Sequence, residues 1–145
     1  MLHKAFSIFV FTPDRSKLLI QKRAPGKLFG NLWANTCCSH PREELPLEEE
    51  AAKRLQEECG FRCALTIHSS FIYRAHDPEG RGEEHELDTI LIGEAEESVE
   101  LDPDPEEITE MKWIAVTDLN ADMQSHPNLY APWFHQALQQ IENDR

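Results

Sequence analysis

The stretch "AFSIFVF" at residues 5–11 is apolar on both of its alternating faces apart from one serine, and it is rich in aromatic and β-branched residues. Such a strand belongs in the middle of a sheet, covered on both sides. "TPDRSK" follows as a turn, with proline and aspartate early in it. "LLIQKR" (18–23) returns as a second strand, which predicts a hairpin. "APGKLFGN" reads as loop and "LWANTCC" (32–38) as one short strand. From Pro46 to Cys59 the apolar residues Leu47, Ala51, Leu55 and Cys59 recur every four positions, the period of an amphipathic helix. Glu48, Glu49 and Glu50 lie in its first turn, where the helix dipole favours negative charge, and Gly60 follows as a C-terminal cap. Two longer strands, 61–75 and 85–95, are joined by the turn "HDPEGRGE". "EMKWIAV" (110–116) is a further strand, and "TDLNADMQ" starts a short helix capped by Thr117 or Asp118. Trp133, Phe134, Ala137, Leu138 and Ile141 make the apolar stripe of a C-terminal helix. No repeat or linker interrupts the chain, so residues 1–145 are expected to form one domain, a mixed sheet flanked by helices, α+β in class.

The formal charge of -13 argues against nucleic acid as a partner, because phosphates demand basic patches. No apolar run has the ~20 residues of a membrane span, and no N-terminal stretch has the order of a signal peptide. The four cysteines are then expected to be reduced thiols and the cytoplasm to be the compartment.

Several residues stand where stability alone would not put them. Glu57 and Glu58 close the first helix at the end whose dipole repels carboxylates, at ~0.3–1 kcal/mol apiece. A solvated pair accounts for this, and so does a cation site of the kind that holds Mg²⁺ partly through substrate phosphates. Arg54 lies one turn before Glu58 on the same face. Glu84 and Glu86 point the same way on a strand, doubling charge on one side, while His85 points the other way. A solvated edge or a metal site fits that pattern. Cys38 and His40 share the same two-residue spacing, and Pro41 stops a ladder from continuing. Cys37, Cys59 and Cys63 read as core. Lys22, Arg23 and Lys27 cluster around a Pro-Gly turn, either as an ordinary solvated loop or as a seat for a phosphorylated ligand.

Taken together, "LHKAFSIFVF", "NTCCSHP", "FIYRAHDPEGRGEEHELDTIL" and "APWF" resemble the type I isopentenyl-diphosphate isomerases, enzymes of Nudix fold. The resemblance covers essentially the whole chain in order, and "NTCCSHP" and "EHELD" are its most specific pieces. It implies interconversion of isopentenyl and dimethylallyl diphosphate by a protein that works as a monomer on a small isoprenoid diphosphate. Carried over position by position, Cys38 resembles the active-site cysteine. His3, His40, Glu84 and Glu86 resemble the ligands of a divalent metal, Zn²⁺ or Mn²⁺. Glu86 doubles as an acid/base group with Tyr73 beside it, and Glu58 resembles the carboxylate that helps hold Mg²⁺ on the diphosphate. Arg23, Lys27 and Arg54 match diphosphate-binding positions, and Trp133 matches the aromatic over the reacting carbons.

The sequence departs from the family in beginning just before His3, without the usual preceding segment that carries one more histidine ligand and a lysine. Four of the usual five protein ligands are therefore expected, with water, His68 or His76 as candidates for the fifth place. One rival is a Nudix hydrolase acting on a nucleoside-diphosphate-linked substrate. Its signature aligns with "SHPREELPLEEEAAKRLQEECGF", but Ser39 stands at the leading glycine, Leu45 at the next glutamate and Lys53-Arg54 at the Arg-Glu pair. Loss of those acids removes much of a hydrolase's multi-metal site. A second rival is a non-catalytic binder of isoprenoid diphosphates, against which Cys38, Glu86 and Tyr73 all speak.

Overall fold

The computed structural model describes residues 2–144. The strands are β1 (His3–Phe11), β2 (Lys17–Arg23), β3 (Trp33–Ala34), β4 (Cys37–Ser39), β5 (Thr66–His76), β6 (Glu83–Glu94) and β7 (Ile108–Ala115). Helix α1 spans Leu47–Cys59, α2 Val116–Ser125 and α3 Pro132–Asn143, with a single 3₁₀ turn at Pro127–Leu129. The sheet runs β3-β2-β1-β6-β5, with β4 added on β1 and β7 on β2. β1 and β6 pair in parallel, from His3 opposite Glu86 to Phe11 opposite Glu94, while the other pairings are antiparallel.

β1 is the central strand its composition predicts. Phe6, Ile8 and Val10 point to one layer, where they pack with Ala51, Leu55 and Cys59 of α1. Phe9 and Phe11 point to the other, against Phe134, Ala137 and Leu138 of α3. Both helical stripes thus cover the sheet. Among the described residues no helix is long and apolar enough to cross a membrane.

The predicted β1–β2 hairpin is barely paired. Only Phe11 and Leu18 are in register before the strands splay, β2 pairing with β7 and β1 with β4. The predicted single strand at 32–38 is for the same reason two strands, β3 on β2 and β4 on β1. Asn35 and Thr36 lie in the gap and replace ladder bonds with side chains. Thr36 Oγ1 donates to Leu19 O at 2.6 Å and accepts from Val10 N at 2.9 Å, bridging the two strands. Buried backbone groups need such partners.

Three boundaries also differ. Residues 61–65 belong to no strand, and β5 starts only at Thr66. Helix α2 begins at Val116 with Ala115 in the cap position and no side-chain cap bond, so neither Thr117 nor Asp118 caps it. Helix α1 begins at Leu47, one residue after Pro46. Glu50 in its first turn does more than answer the dipole, since its buried carboxylate accepts the backbone N–H groups of Arg42, Glu44 and Leu45 and so folds the loop after β4 onto the helix.

Gly60 ends α1 with φ +86°, and a Cβ there would lie 2.6 Å from Asp102 Cβ. Both strain and clash oppose any side chain. Gly60→Ala is expected to lose more than about 1 kcal/mol of stability, read as a lower denaturant midpoint. An unchanged midpoint would contradict this account of the α1 terminus.

Candidate active site

Strand alternation assembles one face of the sheet into a cavity. Cys38 on β4 lies opposite Ser7 on β1, His3 and Ala5 of β1 lie opposite Glu86 and Asp88 of β6, and Tyr73 on β5 lies opposite Glu86. Partners in register project to the same side, and successive residues of that side are two apart. Four adjacent strands, β4-β1-β6-β5, thereby aim a thiol, three carboxyls and a phenol at one space. Trp133, from the first turn of α3, closes it, and Arg23, Lys27 and Arg54 also line it. The cavity measures about 170 Å³.

His40, Glu84 and Glu86 offer donor atoms all within 4.8 Å of one another. His40 Nε2 is 2.9 Å from Glu86 Oε1, and Glu86 Oε2 is buried with no hydrogen-bond partner. Mixed imidazole and carboxylate donors around an unsatisfied buried oxygen suit a divalent cation. His3 is exposed and outside this compact group, although it lines an open recess with the same three residues. His68 and His76 are outside it as well: His68 contacts Ser69 and Asp144, and His76 contacts Glu83.

Tyr73 lies beside Glu86 as the register partner on β5, and its hydroxyl donates to Glu84 at 2.7 Å. Burial, reinforced by Glu84, pushes the phenol pKa far up, so it stays a donor. Burial also raises Glu86 to about 7, helped by Glu84 and opposed by His40. Cys38 is pushed up to about 12 by burial, with Arg23 opposing. Burial thus favours the neutral form of both groups.

The basic residues are already engaged. Lys27 Nζ contacts Glu107 at 2.7 Å, and Arg54 donates to Glu58 at 2.7 Å. Glu58 is buried beneath that pair and is not among the residues lining the cavity, whereas Glu57 is exposed. The expected pairing of two helix-end carboxylates is thus split, because adjacent residues of a helix point in different directions and only Glu58 turns inward to Arg54. Arg23 donates to the Leu28 carbonyl, reaches Cys38 Sγ at 3.5 Å and sets its guanidinium 5.1 Å from the Trp133 ring centre.

Two polar groups of this site carry weak sequence signals. Asp88 is only 2% exposed, lines the cavity and accepts from Ser7 Oγ at 2.7 Å, with Oδ1 unpartnered. Burial raises its pKa to about 7. Extending the Glu84, Glu86 alternation by two residues finds it. Asn35 is fully buried and accepts the Trp133 indole N–H at 2.9 Å, a contact across 98 positions that no local pattern signals.

Comparison with known proteins agrees with this architecture. The NUDIX domain family matches residues 1–135. The chain is 43% identical over 140 residues to the isopentenyl-diphosphate Delta-isomerase of Halorhodospira halophila, covering 96% of this chain and 79% of that protein. It is 40% identical to isopentenyl-diphosphate Delta-isomerase 2 of Aromatoleum aromaticum, over 97% of this chain and 72% of that one. A MutT protein from Methanosarcina mazei superposes with a TM-score of 0.76 at 11% identity, covering 99% of this chain and 94% of that chain, a likeness of fold.

The loop carrying Lys27 is held by Asp77, from the β5–β6 turn. Burial alone would raise this carboxyl, but the N–H groups of Phe29 (3.0 Å) and Glu79 (2.8 Å) and the Arg81 guanidinium hold it below its ordinary 3.8. A carboxyl lowered on folding adds stability that is complete above its unfolded pKa and lost as pH falls through its folded one. The stability gap between wild type and Asp77→Ala should therefore be widest near neutral pH and narrow below pH 3.8. A gap independent of pH, measured by urea denaturation, would contradict this.

Proposed function

The chain belongs to the isopentenyl-diphosphate Delta-isomerase family of NUDIX-domain proteins, and from that premise we propose that Cys38 and Glu86 carry its reaction from opposite sides of the cavity. That reaction is the isomerisation of isopentenyl to dimethylallyl diphosphate. The observation that supports the assignment is the shared cavity, where a thiol and a raised carboxyl meet beneath an aromatic lid with three basic residues around them.

Moving the double bond requires one proton to be added and another removed. The alkene π pair takes a proton from a group on one face, forming a new C–H bond and leaving tertiary cation character on the branched carbon. The C–H pair of the neighbouring carbon then becomes the new double bond as a group on the opposite face takes that proton. One side chain has given a proton and the other gained one, so the total is unchanged. Glu86, with the Tyr73–Glu84 pair beside it, serves one face and Cys38 the other. Burial favours the protonated form of Glu86, which suits a carboxyl that exchanges a proton with substrate. Trp133 offers its ring to the cation, an attraction worth about 2 kcal/mol or more when desolvated.

Arg23, Lys27 and Arg54 anchor the diphosphate, whose charge competes with Glu107 and Glu58 for Lys27 and Arg54. Mg²⁺ accompanies the diphosphate, with Glu58 as the nearby helix carboxylate. His40, Glu84 and Glu86 would hold Zn²⁺ or Mn²⁺, with His3 and a water completing the set. Held there, a divalent ion would neutralise the paired carboxylates of Glu84 and Glu86 and would lower the proton affinity of Glu86. A hydrolase reading finds no comparable support, since Leu45 stands exposed and Arg54 ion-paired where that chemistry needs acids.

Cys38→Ala and Glu86→Gln should each lower kcat for isomerisation by at least about a hundredfold with KM little changed. Exchange of substrate protons for deuterium should fall in parallel. Full turnover by either variant would remove that residue from the chemistry. Phosphate release from nucleoside diphosphates, without isomerisation, would favour the hydrolase.

A further inference from the structure

Asn35 is fully buried, and its amide joins two walls of the cavity. Oδ1 accepts from Trp133 Nε1 at 2.9 Å, while Nδ2 donates to the carbonyls of Ile8 at 3.1 Å and Cys37 at 3.0 Å. The orientation is unambiguous, because an indole N–H only donates and a carbonyl only accepts. One side chain therefore ties the aromatic lid on α3 to the peptide immediately before Cys38.

We propose that Asn35 is a positioning residue for the isomerisation, holding the Trp133 ring and the Cys38 strand at one fixed separation and tilt; the inference rests on the isomerase reading above. A buried amide with three good bonds could serve folding alone. What sets Asn35 apart is which groups it bonds. The backbone already docks the start of α3, through Ala131 N to Trp33 O at 2.8 Å. Asn35 bonds to the indole itself, and so also constrains the rotation of the ring about its side-chain bonds.

The ring needs such a constraint. Phe29 meets it edge-on at 5.7 Å, Tyr73 lies tilted at 5.8 Å and the Arg23 guanidinium sits 5.1 Å from its centre, and none of these contacts engages the indole N–H. A cation is attracted to the ring face and repelled by its edge, so a ring free to turn would lose the attraction. An oxygen on the indole N–H also adds electron density to the ring and strengthens that attraction. The effect belongs to the transition state, where the cation exists, and so to kcat rather than KM.

The test is a double-mutant cycle on the whole protein. Asn35→Leu removes all three bonds, and replacing Trp133 with benzothienylalanine keeps the bicyclic ring but removes only its N–H. Each should lower kcat by on the order of tenfold or more with KM within about twofold, and the combination should be no slower than the slower single variant. In ¹H–¹⁵N spectra the indole resonance of Trp133 should shift in Asn35→Leu. Wild-type kcat in either variant, losses that multiply, or an effect confined to KM would overturn the proposal. If Asn35→Leu does not fold, the benzothienyl protein decides alone by the same kcat criterion. A wild-type protein that isomerises nothing would instead sink the underlying reading, which is a distinguishable result.

Discussion

The parallel pairing of β1 with β6 is the constraint on which the site depends. Its register sets His3 opposite Glu86 and Ala5 opposite Asp88, and the antiparallel partners β4 and β5 then add Cys38 and Tyr73 to the same face. A slip of one residue would turn the acids of β6 into the α1 layer and Leu87 and Leu91 out of it. Such a slip is opposed from both sides, because β1 is apolar on each face and buries each against a different helix. The composition that makes β1 central is thus also what aims the chemistry.

That geometry forces charge together, and the molecule manages it without dispersing it. Three carboxyls at alternate positions of β6 share one side of a small cavity. Glu84 takes the Tyr73 hydroxyl, Glu86 meets His40, and Asp88 takes Ser7. Burial raises Glu86 and Asp88 to about 7. The basic residues are balanced in turn, Lys27 by Glu107 and Arg54 by Glu58. The result is one cavity lined by three carboxyls, a thiol and three basic side chains. Isomerisation by proton addition and removal needs one group that gives a proton and another that takes one.

Much of this was legible in the sequence, for physical reasons that differ by element. Helix α1 and its Gly60 terminus were plain because four-residue periodicity and a positive φ leave direct marks in local sequence. Two-residue spacing puts Glu84 and Glu86 on one side of a strand, but their grouping with Cys38 and with His40, just past the end of β4, rested on the family resemblance. The sheet order was not legible. A short turn between two apolar strands predicts a hairpin, yet β1 and β2 splay after one pair because β4 occupies the edge of β1. The same splay cuts 32–38 into two strands and makes Asn35 and Thr36 core residues, although both look like loop residues in isolation. Arg54 and Glu58 were legible as neighbours on one helix face, but not the burial of Glu58, which depends on what lies above it.

The central claim is that substrate carbons lie between the Cys38 thiol and the Glu86 carboxyl, which strand alternation aims into one cavity. A crystal structure of Cys38→Ala with isopentenyl diphosphate bound tests it most directly. The account predicts the hydrocarbon tail beneath Trp133, between position 38 and the Glu86 carboxyl, with the diphosphate on Arg23, Lys27 and Arg54. A tail lying outside that space, or a diphosphate seated where the tail should be, would contradict it.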